Sequence, residues 1–308
     1  MESINLNTQN ERNLAGNLFE AGYLIGPEKC SCKSINFSIQ IDNSNHTSGI
    51  FFRFQNHFCR RKFPISINSF FQKFPKIKME YILEVLKTFI LLELNAEKAY
   101  NYLLSEKNIT LSKPLIYSIY KEIRKVIYQY YRIVYEAESL GVINGNQYYS
   151  VDESLFIHRD KEQLWLLGAI DNSSKDFRLE ASIRRDSQTL EKFIKKYLEK
   201  GNTVITDGWL GYSFLDNGDS GYQHIKHLHG GGDFGTGLES TSHIEGLWGI
   251  LKSKIKSTYM VIPNVNFMKF LRESEFKYKN RSLNNEGKIA AFFEAFRMVY
   301  NTGEKKFS

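Results

Sequence analysis

The chain is poor in the residues that staple or anchor a protein. Three cysteines in 308 residues, two of them separated by a single residue, do not make a disulfide framework. No apolar run approaches the roughly 20 residues that cross a bilayer. The longest candidate, residues 81–94, is interrupted by Glu84, Lys87 and Glu93. The opening Met-Glu-Ser-Ile-Asn lacks the basic and apolar regions of a secretory signal. There is no Gly-x-Ser-x-Gly turn to present a serine nucleophile. His224, His227, His229 and His243 bring no suitably placed carboxylate machinery, which sets a zinc hydrolase aside. These absences point to an intracellular protein with no membrane partner.

What is present is core-forming material and positive charge. Hydrophobic residues make up 42% and aromatics 14%, enough for one large domain with one or two small ones. The net charge of +7 is unevenly spread. Residues 51–147 carry 15 basic and 8 acidic groups, whereas residues 148–260 carry 14 and 16. A basic segment before a slightly acidic one suits a polyanion-binding protein with a carboxylate-rich catalytic domain. Ordinary solvated lysine and arginine faces would give the same count.

Three acidic residues stand in frames suited to holding a cation. Asp152 lies in Tyr-Tyr-Ser-Val-Asp-Glu-Ser, a β-rich run. Asp207 ends the apolar run Thr-Val-Ile-Thr and precedes Gly208. Glu245 falls in Ser-His-Ile-Glu-Gly-Leu-Trp, the opening of an amphipathic helix. Hard divalent cations take oxygen ligands, and two of them about 4 Å apart can serve phosphodiester chemistry. Against this, an aspartate after a strand is often only a turn former. Strands are expected at 147–156, 163–170, 176–183 and 203–206, with another near 224–228 and a helix over 187–199. Gly141 to Gly145 forms the linker that precedes them.

From about Tyr148 to Lys256 these motifs resemble the DDE transposases of the IS1595/ISXO2 type and their Merlin relatives. The resemblance rests on Asp152-Glu153, Trp165-Leu-Leu-Gly168, Arg185 with Thr189-Leu190, Asp207-Gly-Trp-Leu-Gly-Tyr212, and Thr241, Ile244-Glu245, Trp248 and Lys252. It implies an α/β RNase H-like catalytic domain over 147–260, a mixed sheet flanked by helices. Asp152, Asp207 and Glu245 would be both catalytic residues and ligands of two Mg²⁺ or Mn²⁺ ions. The implied activity cleaves element-end DNA and transfers the 3′-hydroxyl strand into target DNA, with the protein a homo-oligomer on its terminal repeats, in the nucleus if the host is eukaryotic. Ser242 departs from the pattern, standing where asparagine is often found, so a domesticated, catalytically inactive DNA-binding descendant is the alternative. Glu153 is expected to face away from Asp152 or to support it indirectly, since neighbours on a strand point to opposite faces. Lys252 would reach a phosphate, Trp209 and Tyr212 a frayed end base, and Trp248 would pack in the core.

The remaining segments read as a loose lead-in over 1–29, a degenerate zinc-ribbon-like segment over 30–75, a helical region over 76–140 and a basic helical tail over 261–308. Cys30, Cys32, His57 and Cys59 offer three thiolates and an imidazole for Zn²⁺, although the Cys30–Cys32 spacing is one residue short of a normal knuckle. Apolar residues at three- and four-residue spacing mark helices from Met79, from Ala96 and from Ser112, the last an N-cap ahead of Pro114. Two short helices and a long basic one resemble a helix-turn-helix, which would offer Lys113, Lys121, Arg124 and Lys125 to DNA.

Overall fold

Alternating and helical apolar patterns become the elements expected of them, arranged in two units. The structure, a computed structural model, describes residues 2–27, 30, 33, 35–41, 50–56, 59, 61–137, 147–159, 162–227, 235–258 and 264–301. Chain contacts divide it into Met1–Tyr130 with Asn280–Ser308, and Tyr131–Lys279. Among the described residues no helix is long and apolar enough to cross a membrane.

In the first unit, residues expected to form a loose lead-in form helix α1 (Glu2–Glu20). A small antiparallel sheet follows, β1 (Phe37–Ile41), β2 (Ile50–Phe54) and β3 (Lys62–Pro64), in the order β1-β2-β3. Its apolar side chains give α1 a reason to fold. Phe19 meets Phe37 edge-on at 5.6 Å and Phe52 at 5.8 Å between ring centroids. Cys30 and Cys59 are buried, with their sulfurs 3.3 Å apart. Cys32 and His57, the other two candidate zinc ligands, lie outside the described residues.

Helices α2 (Met79–Ile90), α3 (Ala96–Glu106) and α4 (Lys113–Ala137) occupy the segments read as helical. Asn95 caps α3 by accepting from the Lys98 amide at 2.9 Å. Ser112 accepts the amides of Leu115, on its hydroxyl, and Ile116, on its carbonyl, at the start of α4. The tail expected over 261–308 is split between the units. Helix α7 (Asn264–Lys279) belongs to the second and α8 (Asn285–Asn301) to the first, where Phe292 meets Phe70 edge-on.

The second unit is built on a five-stranded mixed sheet: β4 (Tyr148–Arg159), β5 (Glu162–Asp171), β6 (Phe177–Ser182), β7 (Thr203–Thr206) and β8 (Gln223–Lys226). Their order is β6-β5-β4-β7-β8. The first three form an antiparallel meander, and β7 and β8 run parallel to β4. Helix α5 (Ser187–Tyr197) provides the crossover that a parallel strand needs. Helix α6 (Ser242–Thr258) follows the last strand. This mixed sheet with flanking helices fits the expected RNase H-like class.

Alternation along β5 assigns the two faces. Leu166 and Ile170 share a buried cluster with Leu179, Ile244, Leu247, Trp248, Leu251, Phe267 and Leu271, so α6 and α7 cover that side. The opposite side carries Trp165 and Leu167 together with α5. Burial of each such apolar side chain stabilises by about 1.5–3 kcal/mol. The charges of α7 do not form an open basic surface. Arg272 (6% exposed) pairs with Glu275 (0%) at 2.6 Å and donates to the Leu179 carbonyl at 2.7 Å. Lys277 pairs with Glu273 at 2.6 Å. Burial pushes the Glu275 carboxyl up to about 7.

Candidate active site

The strand register sets the site. Asp152 on β4 lies opposite Gly168 on β5. The missing Cβ at Gly168 leaves room for Trp248: a methyl there would sit 2.5 Å from its Cη2 atom and 2.7 Å from Cζ2. Seated over that glycine, the Trp248 indole Nε1 donates to Asp152 Oδ2 at 2.8 Å. Trp248 is therefore both core residue and carboxylate holder. Glu245 lies three residues earlier on α6, on the same helical face.

A second set of bonds fixes where α6 begins. The Ser150 hydroxyl donates to the Ser240 carbonyl at 2.8 Å and to Asn172 Oδ1 at 2.9 Å. The Asn172 amide reaches the carbonyls of Leu238 at 2.6 Å and Ser240 at 3.1 Å. Ser150 and Asn172 are essentially buried, at 0% and 1% exposure. Ser242 bonds the Ser240 hydroxyl at 2.7 Å, and His243 lies 3.1 Å from the Lys175 ammonium.

Asp207 follows β7 directly. Ser150 pairs with Ile205, so two more residues along each parallel strand lead to Asp152 and Asp207. The Asp207 Oδ1 atom accepts from the Trp209 amide at 2.9 Å, a side-chain turn made possible by Gly208 at φ +78°. The turn-forming reading of Asp207 thus holds for one oxygen. The other has no hydrogen-bond donor among the described residues.

Glu153 points to the α5 face, as alternation requires, but it is not exposed. Its side chain is 3% exposed. Tyr212 donates its hydroxyl to Oε2 at 2.6 Å, and Arg185 donates to Oε1 at 3.2 Å. Arg185 in turn packs against two indoles, 4.2 Å from the Trp165 ring centre and 4.6 Å from that of Trp209. The spacing of 32 and 59 residues from Glu153 to Arg185 and Tyr212 hides this assembly from any local sequence pattern.

The electrostatics follow from this crowding. Burial, then the charges of Glu153 and Asp207, push Asp152 up to about 7 against the Trp248 hydrogen bond. Glu153 is raised by burial and by Asp207, while Tyr212 and Arg185 oppose the shift. Burial and Glu153 hold the Tyr212 phenol well above its ordinary range. Among the described residues, however, no three His, Cys, Asp or Glu side chains are grouped to hold one metal ion. Asp152, Asp207 and Glu245 are all oxygen donors of the kind Mg²⁺ or Mn²⁺ takes, and the raised Asp152 marks a place where added positive charge would be favourable.

Residues 154–279 match the family model of the ISXO2-like transposase domain. The matched segment includes Asp207 and Glu245 and begins two residues after Asp152. No curated protein matches the chain. Among solved structures, the HTLV-2 integrase catalytic core domain in complex with magnesium is similar at 13% identity, covering 44% of this chain and 85% of that one, with a TM-score of 0.29. The simian T-cell lymphotropic virus intasome in complex with the PP2A regulatory subunit B56 gamma is similar at 13% identity, covering 65% and 69%, with a TM-score of 0.32.

The proposed DNA contacts are redistributed. Tyr212 is 0% exposed and spends its hydroxyl on Glu153, so it cannot stack on a base. The Trp209 ring packs on Gly211 and against Arg185. Lys252 lies over the Phe156 ring at 5.7 Å. In the first unit, Lys113 pairs with Glu97, Arg124 lies over the Phe89 ring at 5.1 Å, Lys121 is exposed and Lys125 half-buried. Among the described residues the histidines do not converge. His224 bonds Asp216 at 2.8 Å, His227 the Glu239 carbonyl at 2.6 Å, and His229 lies outside the described residues.

Proposed function

We propose that this chain is a DDE transposase that cleaves element-end DNA and joins the freed 3′-hydroxyl strand to target DNA. The observation that carries the reading is the buried Asp152 carboxyl, raised to about 7 beside Asp207, just ahead of a segment that matches the ISXO2-like transposase domain. Asp152, Asp207 and Glu245 would hold two Mg²⁺ or Mn²⁺ ions. Such ions, when bound, activate the attacking oxygen and stabilise the leaving oxygen of a phosphodiester.

The chain's own residues prepare that site. Trp248 fixes one oxygen of Asp152. The Asp207 turn presents a carboxylate at the strand end. Ser150 and Asn172 hold the start of the helix that bears Glu245. Tyr212 and Arg185 keep Glu153 in place without drawing it toward Asp152. The basic residues of 51–147, including Lys113, Lys121, Arg124 and Lys125, would bind the terminal repeats through phosphate contacts, with the protein acting as a homo-oligomer. Cys30 and Cys59, only 3.3 Å apart, would share a zinc ion with Cys32 and His57.

Ser242 and the short Cys30–Cys32 spacing favour a second reading, a domesticated transposase derivative that binds DNA without cutting. One experiment separates the two. Labelled DNA from the ends of the coding element is incubated with wild type and with Asp207→Asn in Mn²⁺, and bound and nicked products are scored on gels. Nicking by wild type alone, with binding by both, supports the transposase. Equal nicking by the variant would make Asp207 only a turn residue. Binding without nicking by wild type selects the domesticated reading.

A further inference from the structure

Arg185 is held more elaborately than a surface ion pair needs. Two indole rings pack against its guanidinium, Trp165 at 4.2 Å and Trp209 at 4.6 Å. Such stacking removes the rotational freedom that makes an exposed arginine a poor binder. One edge donates through Nη1 to Glu153 at 3.2 Å. Among the described residues the remaining donors, on Nε and Nη2, have no hydrogen-bond partner, and the side chain is 43% exposed. The result is a fixed, planar, partly open cation bonded to Glu153, which itself couples to Asp152 and Asp207. If Arg185 served only to neutralise Glu153, neither the two flanking rings nor the open edge would be needed.

We propose that Arg185 is a phosphate-binding residue for the DNA strand entering the carboxylate site, gripping non-bridging phosphodiester oxygens with its open edge. The inference rests on the transposase reading and deepens it by naming a contact to the substrate backbone. An arginine fork matches two phosphate oxygens, and a phosphate contact carries no base preference. The Glu153 bond keeps the fork oriented before DNA arrives.

The test is the salt dependence of DNA binding by the full chain, read by fluorescence anisotropy on a random-sequence duplex in calcium-containing buffer. Each phosphate contact contributes about 0.9 to the slope of log affinity against log salt. Arg185→Gln should reduce the slope by about 1. The decisive variant is Arg185→Gln with Glu153→Gln, which removes the arginine without unmasking a buried carboxylate. The slope should stay reduced by about 1 in this double variant. A double variant that returns to the wild-type slope would show that the single change acted through the Glu153 charge, and the contact would be refuted. An unchanged slope in both variants refutes it as well. A wild-type chain that binds no DNA removes the transposase reading and the contact together; one that binds with unaltered variants removes the contact alone.

Discussion

Replacing Gly168 with alanine tests the geometry on which Asp152 depends. The new Cβ would meet Trp248 Cη2 at 2.5 Å, Cζ2 at 2.7 Å and the Ile244 Cδ1 at 3.1 Å. Carbon atoms prefer about 3.5–4.0 Å, so the indole would have to retreat by about 1 Å. It has little room, being 5% exposed among Leu166, Ile244, Leu247 and Leu251. Overpacking of this kind costs about 1–3 kcal/mol. Retreat also draws Nε1 away from Asp152 and weakens a charge-assisted hydrogen bond worth about 1.5–3 kcal/mol. The two penalties share one displacement and are not additive, so a loss of about 2–4 kcal/mol is expected. Urea unfolding followed by tryptophan fluorescence should show a lower midpoint at unchanged slope. Metal-dependent nicking should fall with it. Gly246→Ala, on the same helix, is the control: its Cβ would meet nothing within 4 Å, and alanine favours a helix by about 1 kcal/mol over glycine. A Gly168→Ala midpoint within error of wild type would refute the seating of Trp248 on Gly168.

Asp152→Asn should abolish nicking yet stabilise the metal-free protein at pH 8. The wild-type carboxyl is raised from its ordinary 3.8 to about 7. The folded state therefore binds more protons than the unfolded one between those values, and stability falls as pH rises from about 4 to 7, then levels. The gap corresponds to at most about 4 kcal/mol, and the variant should lack that part of the decline; parallel pH profiles in EDTA would refute it. Tyr212→Phe should destabilise by about 1–3 kcal/mol by stranding a buried carboxylate oxygen of Glu153, and an unchanged urea midpoint would contradict the 2.6 Å bond. Glu275→Ala should cost about 3–5 kcal/mol because it leaves Arg272 buried without its partner; a calorimetric melt that matches wild type would show the pair to be dispensable.

Most of the second unit was legible in the sequence because its signals are local. Strands at 147–156, 163–170 and 203–206 announce themselves by β-rich runs between turns, and the helix of Glu245 by its apolar spacing. The helix over 2–20 was not legible, since its apolar residues are sparse and it folds against Phe37 and Phe52, which lie beyond it in the chain. The carboxylates were found one by one from their local frames, but their partners were not. Trp248 reaches Asp152 across 96 residues, and Tyr212 reaches Glu153 across 59. Such contacts follow from sheet register, which no short window contains. Nor does residue type say that Tyr212 faces inward: a phenol suits a base stack and a buried carboxylate equally well.

The bonds that tie His227 to Glu239, and Ser150 and Asn172 to Leu238 and Ser240, close the base of the stretch that precedes α6. Both ends of that stretch are therefore set by contacts outside it. Glu245 thus takes its address from the sheet, through Ser150 and Asn172, rather than from the chain that leads into its helix.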